Sequence, residues 1–455
     1  MRKSLMSGSK VFLFLGKQLV GTVSESQEDQ SLVFQYDQQW QKTGFALSPV
    51  LNFQRSFFTS DFLIFLENFL PEGQALDRLS ILNSISKNNV FALALAIKND
   101  LTGALSLSFS PTNVSSTKKQ TLRKISTSEL IERLENPDII PMDIWDNKPR
   151  LSVAGMQSKL NVLQINSESF LVDGPNIASN YLLKFESAAQ KNLLLNEFLT
   201  MQLATCLDQP VAKIHLGMIE NHRMLEVERF DRKIISSDQE QIYVARRYMI
   251  DGCQACGVPS SKKYERNFGD NKDVAHIRDG VSFSKLWQLR RYAKNPIVFE
   301  NNLLDWMFFN LIVGNCDAHG KNVSFFLDHQ GLSVTPWYDL ISVLLIPSVE
   351  HTMAFSIGDE FELSNVHALQ ILYEAQKNKI AFERAFKRLS RIVQKLESGL
   401  VILHPNDDWS TQELEFFQKY KQFLFDRIEY WKKELQIMPE LMHDHSLFWN
   451  LPCND

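Results

Sequence analysis

Five cysteines in 455 residues, at positions 206, 253, 256, 316 and 453, are too few and too scattered for a disulfide framework. Their scarcity points to a reducing compartment. An excess of positive charge is also missing. The formal net charge is −5, so the whole chain lacks the basic surface that sequence-independent nucleic-acid binding demands. Lys118-Lys119, Arg246-Arg247, Lys262-Lys263 and Arg290-Arg291 are short pairs that suit solvated faces. No stretch approaches the ~20 apolar residues of a membrane span. Met1-Arg2-Lys3-Ser4 starts like a signal peptide, but the apolar run at 11–15 is too short to be its hydrophobic region. These absences predict a soluble, cytoplasmic protein with no membrane partner. Internal repeats and extended low-complexity segments are absent too.

What the chain does have is apolar mass. Hydrophobic types make up 44% of it, enough for two or three domains with cores of their own. Residues 10–14 and 18–23 read as strands joined by a turn at Gly16-Lys17, and residues 31–36 alternate with period two as a third strand. Helical patterns follow at 60–69 and 74–84, broken by Pro71-Glu72-Gly73. Residues 111–120 contain one apolar side chain and read as a linker. Ser126-Thr127-Ser128-Glu129 fits a capping box opening a helix that reaches Glu135 and stops at Pro137. Strand-like runs then appear at 160–165, 181–185, 214–219 and 223–227. Leu195, Leu199 and Leu203 mark an amphipathic helix over 193–206. Beyond Ser282 the pattern is mostly helical. A β-rich piece followed by a helix-rich piece suits two lobes with a cleft between them.

The most informative stretch is Gly314-Asn315-Cys316-Asp317-Ala318-His319-Gly320-Lys321-Asn322, directly after the apolar helix at 303–313. Phosphoryl transfer from ATP needs an acid to orient the attacking hydroxyl, an oxygen ligand for Mg²⁺ and a cation for phosphate charge. Asp317 and Asn322 have the Asp-x-x-x-x-Asn spacing of a kinase catalytic loop, and Lys321 can supply the cation. Ordinary polar loops carry this spacing by chance, so it does not stand alone. Asp339 follows 22 residues after Asp317, past a strand at 323–327 and a turn at 328–331. It is placed to bring a metal-binding carboxylate back to the same site, and Mg²⁺ favours one or two carboxylates plus phosphate oxygens. Upstream, residues 151–159 form a small-residue loop that can expose amides to phosphates, although a plain β-turn has the same look. Lys184 lies on an otherwise apolar strand, where burial demands an anionic partner. It is either a phosphate ligand or a snorkelling edge lysine, and Glu197 on the next helix is a possible partner.

Taken together, these segments resemble HipA-like kinases. Leu151-Ser152-Val153-Ala154-Gly155-Met156-Gln157-Ser158-Lys159 is similar to their Ser-x-Ala-Gly-x-Gln-x-Lys loop, and Val227-Glu228-Arg229-Phe230-Asp231-Arg232 to their hinge. Residues 314–322 resemble their catalytic loop and residues 335–342 their Pro-x-Tyr-Asp-x-x-Ser segment. Cys253-Gln254 with residues 259–264 resembles their Cys-Gln…Ser-x-Lys-Tyr stretch. Residues 68–73 and 100–105 resemble their N-terminal domain, so the likeness runs nearly end to end.

The resemblance implies an α+β, two-lobed protein-kinase-like (HipA/phosphoinositide-kinase-like) fold with an added N-terminal α+β subdomain and an all-helical C-terminal lobe. The expected division is 1–110, 111–145, 146–244 and 245–455. Asp317 would be the catalytic base, and Asn322 and Asp339 would hold Mg²⁺. ATP would meet Ala154, Gly155, Met156, Gln157, Ser158 and Lys159 in the phosphate loop and Lys184 on the strand. Glu228, Arg229 and Phe230 would form the adenine hinge, and His319 and Lys321 would complete the site. Ser152 matches the position that the family autophosphorylates, where a phosphate would displace the loop by repulsion. The partners implied are a protein substrate such as an aminoacyl-tRNA synthetase and a HipB-like helix-turn-helix antitoxin, with DNA met only through the antitoxin.

Three departures from the family pattern stand out. Cys316 replaces Thr or Ser, Arg246 to Asp251 replace Gln-Leu-Pro-x-Glu-Asp, and Met156 and Ser158 fall at variable positions. The second departure leaves the target open. Cys253 and Cys256 lack the further ligands of a tetrahedral zinc site. His443-Asp444-His445 reads as an exposed tail. A rival reading is a catalytically weak co-repressor whose task is to bind the antitoxin.

Overall fold

Period-two apolar runs build the first sheet of this computed structural model, which describes residues 10–25, 32–53, 59–97, 101–111, 120–150, 158–174, 176–187, 190–238, 241–269 and 271–443. The chain divides into two units. One takes residues 1–194, 212–260 and 324–332; the other takes residues 195–211, 261–323 and 333–455.

In the first unit the strands Leu32–Tyr36, Gln18–Glu25, Val11–Leu15 and Leu105–Ser108 lie in that order, all antiparallel. Gly16 turns the first pair at φ +58°, a backbone region that costs glycine little. Helices Thr59–Glu67, Gly73–Asn83 and Val90–Ala96 follow. A second, six-stranded sheet runs Ile214–Ile219, His222–Glu228, Tyr181–Phe185, Lys159–Ile165, Glu168–Asp173, Thr121–Lys124. The expected capping box is present: Ser126 Oγ accepts the Glu129 N–H, and Glu129 accepts the Ser126 N–H at 3.0 Å. The helix it opens, Thr127–Glu135, sends Leu130 into a core with Trp145, Leu160, Val162, Leu183 and Phe185. The linker reading falls mainly on residues 112–119, which lie outside the described residues.

The second unit is built on long helices: Pro296–Val313, Ala368–Lys377, Phe382–Ile402 and Thr411–His443. Arg388 Nε reaches Asp305 Oδ1 at 2.7 Å and joins two of them through a buried carboxylate. Two expectations need correcting. The helix Leu193–Ala204 buries Leu195, Leu199 and Leu203, but Asn196, Glu197 and Thr200 are buried as well, so it is enclosed rather than amphipathic. Nor is the C-terminal half all helix. Within the expected helical lobe at 245–455, the strand Thr352–Ile357 pairs with Glu360–Glu362, while Met249–Asp251, Ser324–Asp328 and Gly331–Val334, nearly all of them in the first unit, make a three-stranded sheet. Thr352–Ile357 is buried along nearly its whole length, which hides the period-two signal. Among the described residues no helix is long and apolar enough to cross a membrane.

Candidate active site

The helix Pro296–Val313 starts where Asn295 Oδ1 accepts the Val298 N–H at 3.2 Å, with proline in its first turn. Every residue from 302 to 313 is buried. Gly314 ends it at φ +71°, and a Cβ there would lie 2.9 Å from Leu344 Cδ1, so both backbone and space call for glycine. Asn315 then splices the helix end to the loop. Its N–H donates to the Asn310 carbonyl at 2.9 Å and its Nδ2 to Asn310 Oδ1 at 2.7 Å. Its Oδ1 accepts the Asp317 N–H at 3.2 Å.

Beyond Asp317 the loop folds on itself. The Asp317 carbonyl accepts the His319 N–H and Asn322 Nδ2, each at 2.8 Å, and the His319 carbonyl accepts the Asn322 N–H at 2.9 Å. Asp317 is exposed at the tip, and Tyr264 donates its phenol hydrogen to Oδ1 at 2.6 Å. With the Asn322 amide nitrogen fixed on a carbonyl, its oxygen is left pointing the other way. Asp339 takes φ +56°, and its neighbour Tyr338 donates to the Lys321 carbonyl at 2.7 Å. Asp317, His319, Lys321 and Asn322 are thus brought together in one loop, and the segment carrying Asp339 is tied to that loop through Tyr338.

Burial keeps two other groups of the loop, His319 and Cys316, neutral. Burial and then the Lys263 charge push the His319 imidazole down to about 3, against the pull of Asp339. Its Nδ1 accepts the Lys321 N–H at 3.3 Å, as a neutral ring can. Burial pushes the Cys316 thiol up to about 12. Cys316 is therefore an inert packing residue whose carbonyl accepts the Ala354 N–H at 2.8 Å.

In the first unit Lys159 and Lys184 are direct partners on adjacent antiparallel strands, 5% and 3% exposed. Residues paired directly across two antiparallel strands project to the same face of the sheet. Glu228 donates its N–H to the Lys213 carbonyl at 2.8 Å, and Arg229 donates its own to the Asn180 carbonyl at 2.9 Å. The Arg229 guanidinium binds Asp231 and Ser179 inside the protein. Phe230 meets Phe326 edge-on at 5.9 Å. Ser158 accepts the Phe185 N–H at 3.0 Å through its carbonyl. Ser152, Ala154, Gly155, Met156 and Gln157 lie outside the described residues. No disulfide joins Cys253 and Cys256, and no cluster of three or more metal-ligating side chains occurs among the described residues. The sequence placed Tyr264 and Asn315 inside family-like stretches but gave neither a role; Tyr264 lies 53 residues from Asp317. No spacing rule flags either one.

Residues 12–108 match the HipA N-terminal domain and residues 151–400 the HipA-like C-terminal domain. The serine/threonine-protein kinase toxin HipA of Shewanella oneidensis is 38% identical over 421 residues, 92% of this chain and 94% of that protein. The chain belongs to the HipA family of serine/threonine-protein kinase toxins. The solved complex of Shewanella oneidensis HipA with HipB and operator DNA matches this HipA-family chain with a TM-score of 0.83 at 37% identity. That match covers 94% of this chain and 99% of the other. A second relative, from Sinorhizobium fredii, is 33% identical over 310 residues, 67% of this chain and 70% of its own length. The α+β kinase-like fold expected from the sequence is the one found.

Proposed function

We propose that this HipA-family chain transfers the γ-phosphoryl group of ATP to a serine or threonine hydroxyl of another protein. The observation that carries the reading is the loop 314–322, which aims the Asp317 carboxylate outward while its own carbonyl orients the Asn322 amide. Asp317 is the base that receives the acceptor hydroxyl's proton. Asn322 and Asp339 offer Mg²⁺ an amide oxygen and a carboxylate. This hard-oxygen pair is too small for an all-protein cage and suits an ion that also takes phosphate oxygens and water. When bound, the ion neutralises phosphate charge. Lys159 and Lys184 supply positive charge for the phosphates, with residues 154–158 as the phosphate loop and Lys321 and His319 completing the site. Because the Glu228 and Arg229 amides are already engaged in the protein, the hinge 228–230 meets adenine through its remaining groups. Ser152 is the autophosphorylation site that switches the enzyme off.

The protein substrate belongs to the translation machinery, an aminoacyl-tRNA synthetase being the type expected, and the protein acts in the cytoplasm. A HipB-like antitoxin is its partner and brings it to DNA. Support for that partner is the 0.83 match to a HipA solved with HipB and operator DNA. Phosphosite mass spectrometry on cells producing the wild type or Asp317→Asn tests the proposal. Sites absent from the variant, with growth arrest in the wild type alone, support it. Growth arrest that persists in Asp317→Asn, with no wild-type-specific phosphosite, would leave a repressor without catalysis.

A further inference from the structure

Tyr264 and Asp317 meet through a short, charge-assisted hydrogen bond of 2.6 Å from phenol to carboxylate. The segments carrying them are built into one ladder. The Ala354 N–H donates to the Cys316 carbonyl at 2.8 Å, and the Ala354 carbonyl accepts the Glu265 N–H at 2.9 Å. One residue of the buried strand Thr352–Ile357 therefore holds both the neighbour of the phenol and the neighbour of the carboxylate.

Further contacts lock Tyr264 from its other sides. The Glu265 side chain, 3% exposed, accepts the Ser356 N–H at 2.8 Å and its hydroxyl at 3.1 Å. Gly320 donates to the Lys263 carbonyl at 2.9 Å, and Asn267 Nδ2 to the Tyr264 carbonyl at 2.8 Å. Gly280 passes so close that a Cβ on it would lie 1.7 Å from the Tyr264 carbonyl oxygen. The ring stands edge-on to His319 at 5.1 Å and 86°. Such convergence is far more than an exposed surface tyrosine requires.

We propose that Tyr264 is a positioning residue of the kinase: its phenol holds Oδ1 of Asp317 so that Oδ2 alone faces the acceptor hydroxyl. This rests on the reading of Asp317 as base. A free aspartate at an exposed loop tip turns about its Cβ–Cγ bond and offers either oxygen in many directions. Catalysis of phosphoryl transfer consists almost wholly of positioning and charge stabilisation, so this freedom costs rate. As the seryl or threonyl oxygen bonds to the γ-phosphorus, its proton passes to Oδ2. The bond from phosphorus to the bridging oxygen breaks, and its electron pair leaves with ADP. Tyr264 touches none of these atoms and acts only through Asp317.

The test is self-phosphorylation of the full-length protein with γ-labelled ATP, comparing wild type, Tyr264→Phe and Asp317→Asn across a series of ATP concentrations. Rates are expressed per nucleotide-binding site, counted by titration with a non-hydrolysable ATP analogue, so that unfolded molecules drop out. For Tyr264→Phe the maximal rate should fall roughly 10- to 100-fold, the scale set by misplacing a reacting group. The half-saturating ATP concentration should stay within about twofold, since removing positioning leaves ground-state binding alone. A maximal rate unchanged in Tyr264→Phe, or a loss found only in ATP affinity, overturns the proposal. Asp317→Asn labelling as fast as wild type would instead overturn the reading of Asp317 as base, and this proposal with it.

Discussion

Asn196 and Ser342, 146 residues apart, exchange two hydrogen bonds: Asn196 Nδ2 donates to the Ser342 carbonyl and the Ser342 N–H donates to Asn196 Oδ1, both at 2.9 Å. Ser342 also gives its hydroxyl hydrogen to the Val313 carbonyl at 2.6 Å, at the end of the helix that leads into the loop 314–322. One buried amide thus fixes the chain just after Asp339 to the helix Leu193–Ala204. Asn196→Ala leaves a backbone donor and acceptor unsatisfied in the interior, which costs about 1–3 kcal/mol. Chemical denaturation should show that loss together with slower phosphotransfer. Asn196→Asp keeps the acceptor but loses the donor, and it should not restore wild-type stability.

The Asp231 carboxylate is shared between Arg229 at 3.0 Å and Arg232 at 2.6 Å, all three being buried. Burial works to raise its pKa, and the two guanidinium groups outweigh that and hold it down to about 2. A depressed carboxyl stabilises the fold above its unfolded value and loses that contribution as pH falls through the folded one. Against an ordinary 3.8 the contribution is about 2 kcal/mol, lost between roughly pH 4 and pH 2. Asp231→Asn should flatten this acid limb in a melting-temperature series. It should also lower stability at neutral pH by about 3–5 kcal/mol, because two buried cations lose their counter-charge.

Gly314→Ala places a methyl group at φ +71° and 2.9 Å from Leu344 Cδ1. Strain of this kind costs about 1–3 kcal/mol. Gly16→Ala is the control: φ is +58° there too, but nothing lies within 4 Å. Thermal melts should show the larger drop at position 314. Because that glycine begins the loop that carries the proposed base, phosphotransfer should fall there and not at 16.

What could be seen in the sequence was what local chemistry determines. The strands at 181–185 and 214–219 come out at the bounds expected, since their apolar runs are bracketed by polar turns. The Ser126–Glu129 box needs only four residues to announce itself. That Asp317, His319 and Asn322 share one loop was legible because they lie within six residues of each other. The hairpin of Arg232–Asp238 and Gln241–Arg246 was not anticipated, because the consecutive Ile234 and Ile235 break a period of two. The inward polar residues of Leu193–Ala204 broke its pattern for a different reason. Asn196 and Thr200 face in because Ser342 and Tyr420 meet them there, partners that only folding reveals. The contact of Tyr264 with Asp317 was invisible on the same grounds.

Arg232 sends Nη2 to the Leu101 carbonyl at 3.0 Å, and the Gly103 N–H donates to Asp231 Oδ2 at 3.1 Å. The turn after the predicted hinge therefore draws part of its solvation from backbone laid down some 130 residues earlier. An expression fragment trimmed of its first hundred or so residues would ask water to replace a peptide group on the Asp231 carboxylate and another on the Arg232 guanidinium, which has no exposed side-chain surface. Recombinant versions of the catalytic region should accordingly begin upstream of Leu101, and shorter ones should be recovered as aggregates.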